Sequence, residues 1–448
     1  MSTLATLARV LAFRWRFGHW TEQTVRRWQT RRATDLVRRA ARLPYYRELW
    51  RGHDLGDVWD LPTTRKRDLM ANLAGANTLG ASWEELARFR EEIDATRQYD
   101  RLFRGEYNVE LSSGTSGSKG IYLFSARERA VYGAMIAARN GVPRDVFPVR
   151  AVLILRVDSP SLAKINTARL SLRVLLLDTP IPDMVRALNE IGPNVLAGQP
   201  WVLQALAREQ RAGRLRLRLG AVIPVAEVLE PQVREELAAR FAAPIRELYQ
   251  ASEGIMASSC REGRLHINED FVAIQLYDEA GRPARGGEPC QRMVVTDLYR
   301  RTQPIVRYEL NDMIDLDPEP CPCGSVFRVV RRIHGRADDL LWGRDATGQP
   351  RPIFPDYFRR FIIRATEGIE EYQVTQTGAN RLTVRLQLRD GTDPAGAAAA
   401  VRRNLAQMYA EHGCAVPEMA FEIGAPELHP ESGKLRRVIR ACDPPAIV

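Results

Sequence analysis

The chain has 448 residues, enough for two or three domains, with 45% hydrophobic residues, 27% charged residues and a formal net charge of +10. No apolar run reaches the roughly 18 residues a membrane-spanning helix needs, and the opening "MSTLATLARVLAFRWRFGHW" is interrupted by Arg9, Arg14 and Arg16, against a secretory signal. A cytoplasmic protein is expected. Basic and acidic residues alternate along most of the chain, so the positive balance does not make a nucleic acid the expected partner.

Residues 1–110 read as mainly helical. In the basic, acid-poor first fifty, Leu4, Leu7, Leu11 and Trp15 recur at helical spacing, with arginines on the other faces. Two readings stand: a helix packed on its own domain, or a surface that meets an acidic partner or membrane headgroups. Two short strands flank "LSSGTSGSKG" (111–120), and a helix follows over "ARERAVYGAMIAARNG". From "AVLILRV" and "LRVLLLD" to "LYQASEG", buried strands alternate with helices, which predicts an α/β domain. "HINEDFVAIQLYDEAGRPARGGEPCQRMVVTDLY" has short strands and Gly/Pro turns, as in a smaller β-rich lobe. Beyond "HGRADDLLWG" comes a compact α+β tail, with strands over "YQVTQT" and "RLTVRLQL" and a helix over "PAGAAAAVRRNLAQMYAEHG". The expected boundary lies near Asp338, giving an N-terminal domain of 1–337 and a C-terminal domain of 338–448.

Lysine occurs only at 66, 119, 164 and 434. Against a background of arginine, each is a candidate for chemistry that needs a compact charge on a flexible stem. Lys119 and Lys434 lie in Gly/Ser-flanked loops; Lys66 and Lys164 lie in no motif. Around Lys119 a nucleotide-triphosphatase loop would need Gly-Lys-Ser/Thr opening a helix. Here Ser118 precedes the lysine, Gly120 follows it and strand-like residues come next. The glycines and the hydroxyls of Ser112, Ser113, Thr115, Ser116 and Ser118 still offer bendable backbone and donors for phosphate oxygens. Alone, the stretch reads equally as a phosphate cradle and as a plain turn.

Five segments in order carry a resemblance. "SSGTSGSKG" resembles the phosphate loop of the adenylate-forming superfamily, which includes acyl- and aryl-CoA ligases. "LYQASEG" (248–254) is similar to its Tyr-x-x-Ser/Thr-Glu motif and "VRYELND" (306–312) to its Tyr-Arg-Thr-Gly-Asp motif. "GRADDLL" (335–341) resembles its hinge, and "HPESGKLRR" (429–437) its C-terminal Gly-Lys motif. "LVRRAARLPYYRELW", "LAGQPWVLQALA" and "VAEVLEPQVREELAARF" resemble segments of phenylacetate-CoA ligase-like and CapK-like proteins, including coenzyme-adenylating synthetases. The likeness covers nearly the whole chain.

The resemblance implies an adenylate-forming fold: a large N-terminal α/β domain with a β-rich lobe, and a small mobile α+β C-terminal domain. It implies that a carboxylic acid, with an aromatic one as first guess, is activated by ATP as an acyl- or aryl-adenylate with release of pyrophosphate. Transfer to a thiol, of CoA or of carrier-protein phosphopantetheine, follows. Ser112, Ser113, Gly114, Thr115, Ser116, Gly117 and Lys119 would surround the leaving phosphates. Glu253 would hold Mg²⁺, with Ser252 beside it. Tyr249 would face adenine, with Ala226, Glu227 and Gln250 in the same ATP/AMP site. Asp312 would accept from the ribose hydroxyls, Arg336 would reach ribose or phosphates, and Asp338 would be the hinge. Lys434 would be the catalytic lysine. Leu310-Asn311 replaces the usual Thr-Gly, and "GRDATGQPRPIFPDYF" replaces the glycine loop that admits pantetheine, which leaves the acceptor open between CoA, a carrier protein and an amine. An enzyme ending in amide formation or AMP transfer, and a non-catalytic binding protein with this fold, remain the alternatives. The acid for Trp201 and its neighbours is not legible, nor is the oligomeric state.

The chain has six cysteines. A cytoplasmic location keeps them reduced. "CPCG" aims Cys321 and Cys323 one way, and "CREGRLH" adds Cys260 and His266. Three thiolates and one imidazole suit structural Zn²⁺; the other reading is buried thiols with a satisfied histidine. Cys290, Cys414 and Cys442 read as packing residues.

Overall fold

The computed structural model describes residues 3–96, 98–112, 120–139, 142, 146–155, 170–278, 280–284, 286–288, 290–336, 339–429 and 435–443. The chain divides into two compact units, residues 1–310 with 315–332, and residues 311–314 with 333–448. Among the described residues no helix is long and apolar enough to cross a membrane.

The first unit opens with helices α1 (Thr3–His19), α2 (Glu22–Ala40), α3 (Pro44–Leu49), α4 (Lys66–Ala71) and α5 (Trp83–Thr96). The Thr21 hydroxyl accepts from Thr24 N and caps α2. In α1 the periodic Leu4, Leu7, Leu11 and Trp15 lie outside, 77, 52, 56 and 56% exposed. The packed face is the other one, where Phe13 meets Phe271 and Tyr299, and Phe17 meets His266 and Phe327. The helix rests on its own domain, but not through the residues whose spacing announced it.

A hairpin, β1 (Asn108–Leu111) and β2 (Ile121–Phe124), leads into α6 (Ala126–Arg139). Then β3 (Val149–Leu155), β4 (Leu170–Leu176), α7 (Ile181–Ile191), β5 (Val195–Gly198), α8 (Pro200–Arg211), β6 (Ala221–Pro224) and α9 (Pro231–Phe241) form the α/β region. Its sheet is parallel throughout, in the order β4-β3-β5-β6. Such a sheet needs cover, and Val152, Ile154, Leu196 and Val222 are buried under Met184, Leu188, Leu203, Leu206, Leu237 and Phe241 of the three helices. Proline opens α8 and α9, where its missing N–H has no intrahelical partner to lose. Trp201 packs against this core, and its indole N–H donates to Gln199 Oε1 at 2.6 Å.

The β-rich region holds β7 (Leu248–Ala251), β8 (Gly254–Ser259), β9 (Leu265–Ile267), β10 (Val272–Tyr277), β11 (Arg292–Asp297), β12 (Tyr308–Leu310), β13 (Asp312–Leu316) and β14 (Val329–Arg336). One sheet has the order β10-β11-β12 and another β13-β14-β9-β8-β7. The strands β13 and β14 each begin in one unit and end in the other.

The second unit continues with the hairpin β15 (Leu341–Arg344) and β16 (Pro350–Ile353), α10 (Pro355–Ile363), β17 (Ile369–Gly378), β18 (Arg381–Leu388), α11 (Pro394–Glu411), β19 (Glu418–Ile423) and β20 (Val438–Arg440). The sheet order is β19-β18-β17-β20, antiparallel at its centre and parallel at both outer pairs. Phe358, Ile362, Val374, Val384, Leu386, Val401, Leu405 and Met408 fill its core. Asp393 caps α11 by accepting from Ala395 N and Gly396 N.

Candidate active site

The hairpin β1–β2 brings the two ends of the Ser/Thr/Gly loop together. Ser112 N donates to Gly120 O at 2.8 Å, and Gly120 N donates to Ser112 Oγ at 2.7 Å. Lys66, at the start of α4, donates from Nζ to the same Ser112 Oγ at 3.3 Å. Gly120 has no room for a side chain: a Cβ there would lie 2.8 Å from the Tyr122 ring and 3.1 Å from Lys66 Cε. Residues 113–119, with Ser113, Gly114, Thr115, Ser116, Gly117 and Lys119, lie outside the described residues.

Tyr122 connects this loop base to Glu253. Its hydroxyl donates to Glu253 Oε1 at 2.6 Å and lies 3.3 Å from the Tyr308 hydroxyl. Burial, then the Glu253 charge, pushes both phenols up from their ordinary pKa, so both stay protonated. The turn before the carboxylate is held by Arg300, which is fully buried, donates from Nη2 to Ser252 O at 2.7 Å and lies 3.9 Å from the centre of the Phe124 ring. Glu253 is itself buried, and among the described residues no arginine or lysine pairs with it. A buried carboxylate with phenol donors and no cation is short of positive charge, which is what a hard oxygen-seeking ion such as Mg²⁺ supplies.

Tyr249 and Gln250 lie on β7, with Tyr249 half-buried and Gln250 exposed. The Tyr249 hydroxyl lies 3.9 Å from Met293 Sδ. Past the C-terminal end of β6, Ala226 is exposed and takes φ +70°. Left-handed backbone costs a non-glycine residue about 1–2 kcal/mol, and such strain gathers at ligand-binding turns. Glu227 follows, half-buried. A β-branched side chain adds to that strain while meeting no core. Ala226→Val is therefore expected to lower stability by about 1–2 kcal/mol and Ala226→Gly to leave it nearly unchanged; chemical denaturation of the three proteins checks both.

In the second unit, Asp312 and Arg336 form one ion pair, with Arg336 Nε 3.3 Å from Asp312 Oδ1. The resemblance implies separate nucleotide contacts for the two; the structure joins them. Asp338 lies outside the described residues. So does Lys434, but both stems of its segment are described. Leu428 and Leu435 pair as an antiparallel bridge. The buried Gln373 donates to Glu427 O at 2.9 Å and to Arg436 O at 3.0 Å, and accepts from Glu427 N at 3.3 Å. Arg436 pairs with Asp339, and Arg437 Nη2 lies 2.6 Å from Glu371 Oε2. Three fixed points thus frame the segment that carries the lysine.

The cysteine and histidine set comes together in the first unit. One ligand atom from each of Cys260, His266, Cys321 and Cys323 lies within 4.8 Å of all the others. The Cys260 and Cys321 sulfurs are 3.8 Å apart, and Cys323 Sγ is 3.5 Å from His266 Nε2. Sulfurs bound to one tetrahedral zinc at about 2.3 Å lie about 3.8 Å from each other. His266 Nδ1 donates to Phe327 O at 2.7 Å, which leaves the Nε2 lone pair facing the sulfurs. Burial lowers the His266 pKa, so the ring is neutral, and burial raises the Cys260 thiol and pushes Cys323 up to about 12. A donor set of three sulfurs and one neutral imidazole fits zinc. Cys290 and Cys414 are buried apart from it and Cys442 is half-buried.

Lys66, Tyr122 and Tyr308 went unassigned in the sequence. Lys66 is 46 residues from Ser112 and belongs to no motif, so only the scarcity of lysine pointed to it. Tyr122 is one aromatic in an apolar strand, and its partner lies 131 residues away.

No protein-family model matches the chain. It is 22% identical over 383 residues to the protein CapK of Staphylococcus aureus, covering 78% of this chain and 82% of CapK. It is 26% identical over 199 residues to phenylacetate-coenzyme A ligase of Thermus thermophilus, covering 42% of this chain and 43% of that enzyme. Among solved structures, 2-hydroxyisobutyryl-CoA ligase in the postadenylation state superposes with a TM-score of 0.71 at 18% identity, over 95% of this chain and 91% of that one. The anthranilate CoA ligase AuaEII with anthranoyl-AMP gives 0.53 at 13% identity, over 73% of this chain and 65% of that one. The fold is that of the adenylate-forming CoA ligases. In sequence the chain is similar to CapK and to phenylacetate-coenzyme A ligase.

Proposed function

We propose that this chain is an ATP-dependent, AMP-forming ligase that activates a carboxylic acid and passes the acyl group to the thiol of CoA. The observation that carries the reading is the buried Glu253 carboxylate, without a cationic partner among the described residues and tied through Tyr122 to the base of the Ser/Thr/Gly loop. A carboxylate oxygen of the acid attacks the α-phosphorus, the bond to the β-phosphate oxygen breaks, and pyrophosphate leaves. The thiol sulfur then attacks the acyl carbon, AMP leaves and the thiol proton goes to solvent. An ion held by Glu253 supplies charge neutralisation on the phosphates.

Lys66 and Lys119 serve the leaving pyrophosphate, with Ser112 and the loop hydroxyls. Tyr249, Ala226, Glu227 and Gln250 form the nucleotide base side. Asp312 accepts from ribose, and Arg336, its ion-pair partner, orients it. Asp338 is the hinge between domains of 1–337 and 338–448, and Lys434 stabilises the charge that develops at the α-phosphate. Cys260, His266, Cys321 and Cys323 hold a structural zinc. The protein works in the cytoplasm, and a carrier-protein pantetheine is the second acceptor to test.

The test follows pyrophosphate release with ATP, Mg²⁺ and a panel of acids. Phenylacetate and anthranilate come first and 2-hydroxyisobutyrate represents aliphatic acids, followed by CoA addition and mass analysis. An acid-dependent burst with a thioester product supports the reading. No acid-dependent pyrophosphate across a broad panel returns the chain to the class of binding proteins, and an adenylate consumed by amines but not by CoA replaces the acceptor. In the same assay Tyr122→Phe removes the hydrogen bond that orients Glu253. The Mg²⁺ concentration for half-maximal release is expected to rise on the order of ten-fold; an unchanged Mg²⁺ dependence would separate Tyr122 from the ion.

A further inference from the structure

Helix α1 is apolar on two opposite faces, and only one of them is covered. Phe13 and Phe17 face inward onto Phe271, Tyr299, His266 and Phe327. Leu4, Leu7, Leu11 and Trp15, at spacings of three and four, make a continuous outward stripe and are the most exposed large apolar side chains among the described residues of the amino-terminal half. A helix apolar all round is normally buried all round. Here the second face is open, along a stretch that carries no aspartate or glutamate before Glu22.

We propose that the outward face of α1 docks this protein onto an anionic membrane surface, with Leu4, Leu7 and Leu11 entering the headgroup–acyl boundary and Trp15 at the interface. The charge argues for this occupant. The first fifty residues hold eleven arginines and three acids and so supply most of the net charge of +10. Arg14 on α1 and Arg27, Arg31, Arg38 and Arg39 on α2 are exposed. An apolar stripe within such a field is the pattern of an interfacial helix, held by burial of the stripe and by attraction to acidic headgroups. A second copy fits less well, because a two-fold contact through α1 brings two arginine-rich amino-terminal segments together. An acidic protein would answer the charge, but three leucines in line on one helix face suit a planar apolar boundary. The inward aromatic contacts hold α1 on the folded protein, so docking needs no refolding and no span through the bilayer.

The test is co-sedimentation of the full chain with vesicles of phosphatidylcholine alone and of phosphatidylcholine mixed with phosphatidylglycerol. Partition onto the anionic vesicles is expected to exceed that onto neutral ones on the order of ten-fold, and to fall as salt is raised. The double variant Leu7→Glu with Leu11→Glu touches only exposed positions. It should lose binding on the order of ten-fold or more while keeping the wild-type thermal transition. Arg27→Glu with Arg38→Glu should erase the preference for anionic vesicles. The proposal is overturned by absence of binding to either vesicle or by equal binding of wild type and the leucine variant. It is also overturned if the leucine variant abolishes self-association without lipid, or capture of an acidic protein, while vesicles bind neither form.

Discussion

Lys434→Ala is expected to lower acid-dependent pyrophosphate release on the order of 10²- to 10³-fold, the cost of removing a positioned charge that acts on the transition state. Lys119→Ala should cost far less, because a lysine on the leaving pyrophosphate shares its work with the loop hydroxyls and, through the base of the loop, with Lys66. Lys434→Arg should not rescue: a planar fork is a poor substitute for a point charge at one oxygen. Gln373 and the ion pairs of Arg436 and Arg437 hold the stems of the segment independently of the lysine itself, so the variant should keep its fold. Initial rates at saturating ATP, with thermal denaturation alongside, make the measurement. A Lys434→Ala enzyme as fast as wild type would remove the lysine from adenylation.

The second large effect concerns the cysteine–histidine set. Its residues come from two segments, 260–266 and 321–323, so an ion bound there closes the intervening loop of some fifty residues. Cross-linking a loop of that length removes denatured-state entropy worth about 4 kcal/mol in the chain-entropy model. Chelation of the purified protein, or Cys321→Ala, should lower the denaturation midpoint accordingly, with zinc restoring the chelated protein alone. Cys290→Ala removes a buried thiol outside the set and should keep the wild-type response to zinc. One zinc per chain by elemental analysis is expected beforehand; identical unfolding with and without zinc would leave four packing residues.

The alternation of strands and helices between Val149 and Phe241 was legible because a covered parallel sheet demands continuous apolar strands, although β4, at the sheet edge, is only partly buried. The tail was legible for a similar reason, in the period-two pattern of β18 and the long helix α11. Helix α1 was legible as a helix but not in its orientation. Leu4, Leu7 and Leu11 have the same period as Val10, Phe13 and Phe17, and periodicity alone does not choose between two apolar faces. The chemistry-bearing residues could be nominated one by one. Their pairings could not, because Asp312–Arg336, Tyr122–Glu253 and Lys66–Ser112 join positions from 24 to 131 residues apart. The cysteine cluster was the exception. Two short segments, each with its candidate ligands a few residues apart, allowed its four members to be named together.

The path of the chain through β13 and β14 bears on how this protein can be taken apart. The second compact unit is built from two separate stretches, 311–314 and 333–448. A single cut at 338 leaves Asn311–Ile314, and Arg336 with them, on the larger fragment. The smaller fragment then lacks two pieces of its own unit, including both members of the Asp312–Arg336 pair. Exchange of the tail with that of a relative therefore calls for transplanting both stretches at once. A chimaera joined only at 338 would inherit its Lys434 from one parent and its Asp312 from the other.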